Sequence, residues 1–320
     1  MSTPPVIHLG FCFDKGYLPP FYVLLTSIFY HNSAHNIVIH AIATNISETD
    51  KSGLVRYAKK HGAEIFFYTV EPHLVQDFVL PDHAGSYFTE TIFYRLFFAK
   101  LVPPSVESII YMDIDTIVVG DLSPLSHLDT GEHPLAAVAD DWMPIREDLG
   151  ITQKGQYFNS GVTLINIHKW NEKNVTERVT DVIIKYPERI KQFPDQDALN
   201  MVLLNDWYKL SVGYNLTGVH CPSVTDRAIL DEYLKDKTII HFSGPKPWNV
   251  LTDCNHVYEY KWFEYYNISP VKSFVKYFDI KLSKSFIKKF TFKHLLKFYL
   301  NTPILGKIKR AISSGANQNI

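Results

Sequence analysis

Two aspartates that interrupt an apolar stretch have the most chemically suggestive spacing in this sequence. Asp113 and Asp115 stand two residues apart in IIYMDIDTIVVGDL, which runs from Ile109 to Leu122. In a β-strand, residues i and i+2 project from the same face, so this pattern predicts that the two carboxylates converge. Because neighbouring carboxylates repel each other and are costly to bury, a positive charge is expected between them.

The residues around an Asp-x-Asp decide its interpretation, since isolated examples are more often solvated turns or helix caps. Here the four residues that precede Asp113 are apolar or aromatic, and TIVVG follows Asp115. His241, in the apolar run TIIHF, would by itself more often be a buried core residue. Together, two carboxylates and one imidazole suit Mg²⁺ or Mn²⁺, and the imidazole favours Mn²⁺. An ion held by only three side chains keeps positions open for substrate phosphates.

Strands alternate with helices along most of the chain, which is typical of βαβ units and an α/β fold with a mostly parallel sheet. Pro19 and Pro20 open the first predicted helix, and Ser47 is predicted to cap the second. Strands are predicted over 6–13, 36–44, 63–70, 109–122, 135–140, 161–167 and 238–244, and helices over 17–32, 47–62, 89–103 and 195–205.

Polar residues follow several of the predicted strands. Ligands of open α/β sheets bind at the carboxyl ends of the strands. Asp14, Asp113, Asp115, Asp140 and His241 all fall at such ends, so we expect them to meet at one edge of the sheet. The acidic DQD at 195–197 is compatible with a site residue or simply with the first turn of a helix, where the helix dipole favours acids.

The composition changes near residue 268 and divides the chain into two parts. The 320 residues are 46% hydrophobic and carry a net charge of −1. Between Val271 and Arg310, however, eleven Lys and Arg face the single Asp279. We therefore predict a nucleotide-binding-type catalytic domain over 1–268 and a basic helical tail over 269–320.

The tail combines lysines at helical spacing, Lys281, Lys284 and Lys288, with many phenylalanines. Such a basic amphipathic helix is typical of a segment that lies on an anionic membrane. A helix that caps the domain and a nucleic-acid patch are the alternatives; the aromatic bulk favours the membrane, and no nucleic-acid partner is expected. No secretion signal is seen in MSTPPVIHLGFCF, so we expect a cytoplasmic protein at the inner face of the cytoplasmic membrane. Four Asn-x-Ser/Thr matches, one at Asn215, are interpreted as chance.

Four motifs occur in the order YMDIDTIVVGDLSPL, YFNSGVTLINIHKW, PDQDALN and HFSGPKPW. Together they resemble glycosyltransferase family 8, the retaining transferases of GT-A fold. That family includes bacterial lipooligosaccharide and lipopolysaccharide galactosyl- and glucosyltransferases and, more distantly, glycogenin. The resemblance covers about residues 6–260, and four ordered motifs are far more specific than any one of them.

The resemblance implies a role for each matching position. Asp113, Asp115 and His241 resemble the ligands that hold Mn²⁺ against the diphosphate of a UDP-sugar, while Asp195 and Gln196 match the acid–amide pair at the reacting centre. Asp14 matches an aspartate beside the uridine, and Gly244 and Lys246 match a loop that covers the diphosphate. The implied donor-binding positions are Asp14, Arg95, Ile114, Asp140, Asn159, Ser160, Gly244 and Lys246.

The expected activity is therefore metal-dependent transfer of galactose or glucose from a UDP-sugar to a lipooligosaccharide-type acceptor, with retention of configuration. Breaking a sugar–diphosphate bond builds positive charge on the anomeric carbon and negative charge on the departing UDP, and these residue types suit both charges. Two alternatives stay open, a glycogenin-like self-glucosylating primer and a non-catalytic sugar-nucleotide-binding membrane adaptor. A phosphotransferase of the haloacid dehalogenase type is disfavoured because Thr116 directly follows Asp115.

Overall fold

The computed structural model describes residues 6–80, 89–248, 254 and 256–271. The strands are β1 Val6–Asp14, β2 Asn36–Thr44, β3 Glu64–Tyr68, β4 Ser108–Met112, β5 Thr116–Val118, β6 Leu135–Ala139, β7 Phe158–Asn166, β8 Tyr208–Lys209 and β9 Ile239–His241. The α-helices are α1 Leu18–His31, α2 Glu48–Lys60, α3 Phe98–Leu101, α4 Ser123–Ser126, α5 Ile167–Glu172, α6 Val175–Lys185, α7 Pro194–Val202, α8 Arg227–Tyr233 and α9 Glu259–Ile268. The predicted tail lies outside these residues except for 269–271.

The first two helices begin where the sequence predicts. Pro19 and Pro20 occupy the first turn of α1, where a missing N–H removes no intrahelical hydrogen bond. At α2, the Ser47 side chain accepts a hydrogen bond from the Asp50 N–H, and the Asp50 carboxylate accepts one from the Ser47 N–H. This reciprocal cap satisfies two backbone donors that the first helical turn cannot pair. Gly62 then takes a left-handed φ of 72° after the end of the helix.

A seven-stranded sheet, in the order β3-β2-β1-β4-β7-β6-β8, forms the centre of the fold. Its pairs are parallel except that β7 runs antiparallel to both β4 and β6. The amino-terminal end of β7 therefore lies beside the carboxyl ends of β4 and β6. The four parallel pairs confirm a mainly parallel α/β fold. The reversal of β7 brings the NSG segment, residues 159–161, to the edge where Asp113 and Asp140 emerge.

The prediction that Asp113 and Asp115 lie within one strand is wrong. β4 ends at Met112, β5 begins at Thr116, and the two aspartates occupy the tight turn between them. His241 does end a strand, but β9 pairs antiparallel with β5 in a separate two-stranded sheet, with Thr116 opposite His241. The carboxylates and the imidazole thus converge because a turn and a small sheet bring them together, and side-chain alternation along one strand plays no part.

The segment after residue 89 also differs from its prediction. Residues Glu90–Phe97 form a 3₁₀ helix, and only Phe98–Leu101 continue as α-helix. Apolar side chains of this segment belong to the core on one face of the sheet, while α1 and α2 contribute to the core on the other face. A third cluster, which includes Trp262 of α9, packs around β9. Among the described residues, no helix has the length and apolar character needed to cross a bilayer.

Candidate active site

Asp113 is held from both its backbone and its side chain. Its N–H donates to the Gly161 carbonyl at 2.7 Å, which ties the turn to β7. Its Oδ1 accepts hydrogen bonds from the Tyr111 hydroxyl at 2.7 Å and from the Arg95 guanidinium at 2.9 Å. The other oxygen, Oδ2, is the one that faces Gly161.

Asp115 lies between two basic side chains. The His241 Nε2 is 3.3 Å from its Oδ1, and the Lys246 ammonium contacts its Oδ2. Burial by itself would raise the pKa of this carboxyl, but Lys246 and then His241 lower the pKa below its usual range. The Asp115 carbonyl also accepts from the Phe242 N–H at 2.8 Å, so the turn is joined to the strand that carries His241.

The ligand atoms of Asp113, Asp115 and His241 lie within 4.8 Å of one another. Two carboxylate oxygens and one imidazole nitrogen fit a small divalent cation. The space between them exists because residue 161 is glycine. A Cβ at this position would stand 2.4 Å from His241 Cε1 and 2.8 Å from Asp113 Oδ2. Sequence reasoning missed Gly161, although it is the third residue of the NSG segment.

Arg95 is buried and links the Asp113–Asp115–His241 cluster to α7. Its guanidinium donates to the Ser160 carbonyl at 2.8 Å, and its Nε lies 3.1 Å from Asp195 Oδ2. Burial would lower the pKa of Arg95, but Asp113 and Asp195 raise it above its usual value, so the side chain is a permanent cation. Arg95 therefore orients the carboxylate of Asp113 and the carboxylate of Asp195 at the same time.

Asp195 and Gln196 both point into the interior from the first turn of α7. The Gln196 Oε1 accepts from the Ser160 N–H at 2.8 Å, and its Nε2 donates to the Tyr157 oxygen at 3.1 Å. Asp195 is 5% exposed, and burial raises its pKa, opposed by Arg95. Its Oδ2 is buried and forms an ion pair with the Arg95 guanidinium, although this contact lacks the geometry of a hydrogen bond.

These side chains open onto one cavity of about 990 Å³. Every sequence-predicted site residue lines it except Asp14, whose carboxylate accepts from the Gly16 N–H at the rim. The cavity also has an aromatic wall that sequence reasoning did not identify. Its aromatic and apolar members include Tyr17, Trp142, Phe193, Val219 and Trp248. Trp142 is 62% exposed, an unusual position for a tryptophan that serves only the core.

With this fold and this cluster of acidic ligands, the chain belongs to a known family of transferases. Residues 8–252 match the sequence profile of Glycosyl transferase family 8, so the chain is a member of that family. The membership rests on most of the chain and confirms the resemblance carried by the four motifs.

Individual relatives agree with this assignment. General stress protein A of Bacillus subtilis is 30% identical over 83% of this chain and 94% of its own length. A lipopolysaccharide 1,2-glucosyltransferase of Escherichia coli is 27% identical over 78% of this chain and 75% of its own length. The crystal structure of the galactosyltransferase LgtC in complex with donor and acceptor sugar analogues superposes with a TM-score of 0.70. It is 23% identical and covers 83% of this chain and 98% of its own, a likeness that shows the shared fold.

Proposed function

We propose that this protein is a retaining hexosyltransferase that moves galactose or glucose from a UDP-sugar to a saccharide acceptor. The single observation that carries the proposal is the placement of the Asp113–Asp115–His241 cluster. It opens onto the same cavity as Asp195 and Gln196. A diphosphate bound at the cluster would present its sugar toward the acid–amide pair, which is the arrangement that glycosyl transfer needs.

Asp113, Asp115 and His241 would hold Mn²⁺ or Mg²⁺, with the imidazole favouring Mn²⁺. A bound ion of this kind supplies neutralisation of the diphosphate leaving group. Lys246, which contacts Asp115, adds a second positive charge on the same side of the cavity. Arg95 orients Asp113 through its 2.9 Å hydrogen bond.

The sugar-facing side of the cavity consists of side chains that can hydrogen-bond hydroxyls. Asp140 and Asn159 lie 3.0 Å apart and would bind hydroxyl groups of the donor hexose. The Asp195 carboxylate, which Arg95 holds beside the cavity, would stabilise positive charge at the anomeric carbon as the bond to the diphosphate breaks. Gln196, held by Ser160 and Tyr157, would orient the sugar beside it.

A lipid-linked oligosaccharide is the acceptor class that we propose. Among the relatives are a lipopolysaccharide 1,2-glucosyltransferase of E. coli and a lipopolysaccharide 1,3-galactosyltransferase of Salmonella typhimurium. The exposed Trp142 at the cavity gives a surface on which a sugar ring can stack. The basic tail predicted over 269–320 would bring the enzyme to the inner face of the cytoplasmic membrane, where such an acceptor is confined.

A donor screen tests the proposal. UDP-galactose, UDP-glucose and UDP-N-acetylglucosamine are each incubated with the full chain and Mn²⁺, and UDP release is measured. We expect release from one hexose donor and its loss with a chelator or in Asp113→Asn. As a matched control, Asp129→Asn changes an exposed aspartate that only accepts a turn hydrogen bond from Gly131, and should leave UDP release unchanged. UDP release by Asp113→Asn in the presence of chelator would contradict the metal site. A mass increase of one hexose on the protein itself would favour the self-glucosylating alternative.

A further inference from the structure

An unbroken line of side-chain hydrogen bonds runs from the proposed sugar-binding residues to the proposed metal ligand. Asn159 Nδ2 donates to Asp140 Oδ2 at 3.0 Å. Asn215 Nδ2 donates to Asn159 Oδ1 at 2.9 Å, and His241 Nδ1 lies 2.9 Å from Asn215 Oδ1. Asn215 is fully buried, and sequence inspection finds it only as part of an Asn-x-Thr match.

The orientation of the Asn159 side-chain amide is determined by a neighbour of its oxygen and a neighbour of its nitrogen. The backbone N–H of Gly161 can only donate, and it lies 3.0 Å from Asn159 Oδ1. The Asp140 carboxylate, when ionised, can only accept, and it faces Asn159 Nδ2. Both neighbours therefore require the same orientation of the Asn159 amide.

The orientation of Asn159 then determines that of Asn215 and the tautomer of His241. Since Asn159 Oδ1 is an acceptor, Asn215 must present its Nδ2 there and its Oδ1 to the imidazole. In the neutral form that a metal-binding imidazole must take, His241 consequently carries its proton on Nδ1. The lone pair is left on Nε2, the nitrogen that lies 3.3 Å from Asp115 Oδ1 within the cluster.

The backbone holds Asn215 in this place. It follows the 3₁₀ helix Val212–Tyr214. The next residue, Leu216, forms a parallel β-bridge with Ile240 of β9 through both its N–H and its carbonyl. The Leu216 N–H donates to the Ile239 carbonyl at 2.9 Å, and the Leu216 carbonyl accepts from the His241 N–H at 3.0 Å. Asn215 is thus anchored to the same strand end that presents the imidazole.

We propose that Asn215 is a positioning residue that selects the metal-binding tautomer of His241 and couples the metal to the Asp140–Asn159 pair. The inference rests on the proposed function, since it assigns to Asn215 a link between the ion and the donor sugar. Removing the partner that hydrogen-bonds the second nitrogen of a metal-binding histidine typically lowers metal affinity about 10- to 100-fold. Asn215 would do more than hold the imidazole, because its amide also donates a hydrogen bond to Asn159.

The first test measures Mn²⁺ binding without any nucleotide, by isothermal titration calorimetry. Asn215→Leu removes the acceptor of the Nδ1 proton, so its affinity for Mn²⁺ should fall about 10- to 100-fold. The matched control is Asn32→Leu. Asn32 is another buried asparagine, 1% exposed, and its side chain bonds to backbone groups of Ile28, Gly120 and Leu122. The control should lose stability and keep the Mn²⁺ affinity of the wild type within about twofold.

The second test separates the two halves of the proposal with Asn215→Asp. A carboxylate still accepts from His241 Nδ1, so Mn²⁺ affinity should stay within about threefold of the wild type or rise. It cannot donate to Asn159, however, so Asn159 loses a partner and the sugar side is disturbed. Binding of the responsive UDP-hexose should therefore weaken about tenfold, while binding of UDP itself with Mn²⁺ should be unchanged.

The outcomes are distinct. Wild-type affinity for Mn²⁺ in folded Asn215→Leu would overturn this inference and leave the proposed function standing. If the wild type itself binds no divalent ion, the metal site of the proposed function fails, and this inference fails with it. Where Asn215→Leu does not fold, Asn215→Asp decides, since equal effects on UDP and UDP-hexose, or a loss of Mn²⁺ affinity, would overturn the coupling.

Discussion

At the scale of single residues, each aspartate of the Asp-x-Asp already faces a cation of the chain. Arg95 donates to Asp113 at 2.9 Å, and the Lys246 ammonium contacts Asp115. The two positions differ in exposure, because the Arg95 side chain is 9% exposed and that of Lys246 is 26% exposed. Arg95 is therefore enclosed within the site, whereas we predict that the more exposed Lys246 moves from the carboxylate to a phosphate of the proposed donor.

The position of Lys246 leads to a prediction of opposite effects on two measurements. Lys246→Met removes a cation that competes with the metal for Asp115, so Mn²⁺ alone should bind about fivefold more tightly, equivalent to about 1 kcal/mol. UDP release from the donor should slow at least tenfold, because the charge on the diphosphate loses a partner. Titration calorimetry and a UDP-release assay measure the two effects. Lys185→Met, which changes an exposed lysine paired with Asp181 on α6, is the control. Weaker Mn²⁺ binding in Lys246→Met would contradict this account.

Gly161 gives a second prediction at this scale. In Gly161→Ala the new methyl group would stand 2.4 Å from His241 Cε1, so the imidazole must move away from the carboxylates. We expect Mn²⁺ affinity to fall at least tenfold while the circular dichroism spectrum remains that of a folded protein. Gly53→Ala on α2, where the methyl group meets only the Tyr22 hydroxyl, should bind Mn²⁺ as the wild type does. Unchanged affinity in Gly161→Ala would mean that the cluster is not the metal site.

At the scale of elements, polar side chains also connect β1, β2 and β3, the three strands at the edge of the large sheet opposite β8. His8 on β1 lies 3.0 Å from His40 on β2, and His40 lies 2.9 Å from the Tyr68 hydroxyl on β3. Burial, and then the neighbouring His8, lower the pKa of His40 to about 4. These three strands are therefore joined by a line of hydrogen bonds, and the bond between the two rings needs an unprotonated nitrogen on at least one of them.

The lowered pKa of the buried His40 predicts that the protein loses stability in mild acid. His40 has a pKa of about 4 in the folded protein and about 6.5 when unfolded, so the unfolded chain binds the extra proton first as the pH falls. The free energy of unfolding should be highest above pH 6.5 and should fall by about 3 kcal/mol between pH 6.5 and 4 from this residue. Urea denaturation at several pH values measures it. His40→Gln should flatten the slope, whereas His168→Gln, an exposed control on α5, should not. Parallel slopes for His40→Gln and the wild type would rule out His40 as the cause.

At the scale of the whole molecule, the acidic body and the basic tail are predicted to have separate tasks. Every proposed donor-site residue lies before residue 250, and α9 ends at Ile268. The surface potential of an anionic membrane attracts each nearby lysine by about 1 kcal/mol, and salt screens this attraction. The prediction concerns residues outside the described ranges and rests on their sequence.

Replacing Lys281, Lys284 and Lys288 by Gln in the full chain tests this division. Binding to anionic vesicles at low salt should weaken about 100-fold for three lysines near the surface. Release of UDP in solution should change less than twofold, and 0.5 M salt should release the wild type from vesicles. If the variant loses UDP release while it stays folded, the tail belongs to the active site. If the wild type ignores anionic vesicles, the tail has another role, such as capping the domain.

The sequence alone determined the features that depend on neighbouring residues. Pro19 and Pro20 at the start of α1 and the Ser47 cap of α2 were readable because local backbone chemistry dictates them. The family motifs were readable because each is a contiguous stretch of sequence. The tertiary structure alone decided how distant segments meet. It placed the aspartates in a turn, reversed β7, moved β9 out of the large sheet, and brought Asn215 and Gly161 against His241. Strand direction and register depend on long-range burial and pairing, which no single stretch of sequence encodes, and a buried amide becomes a functional residue only when its partners are in place.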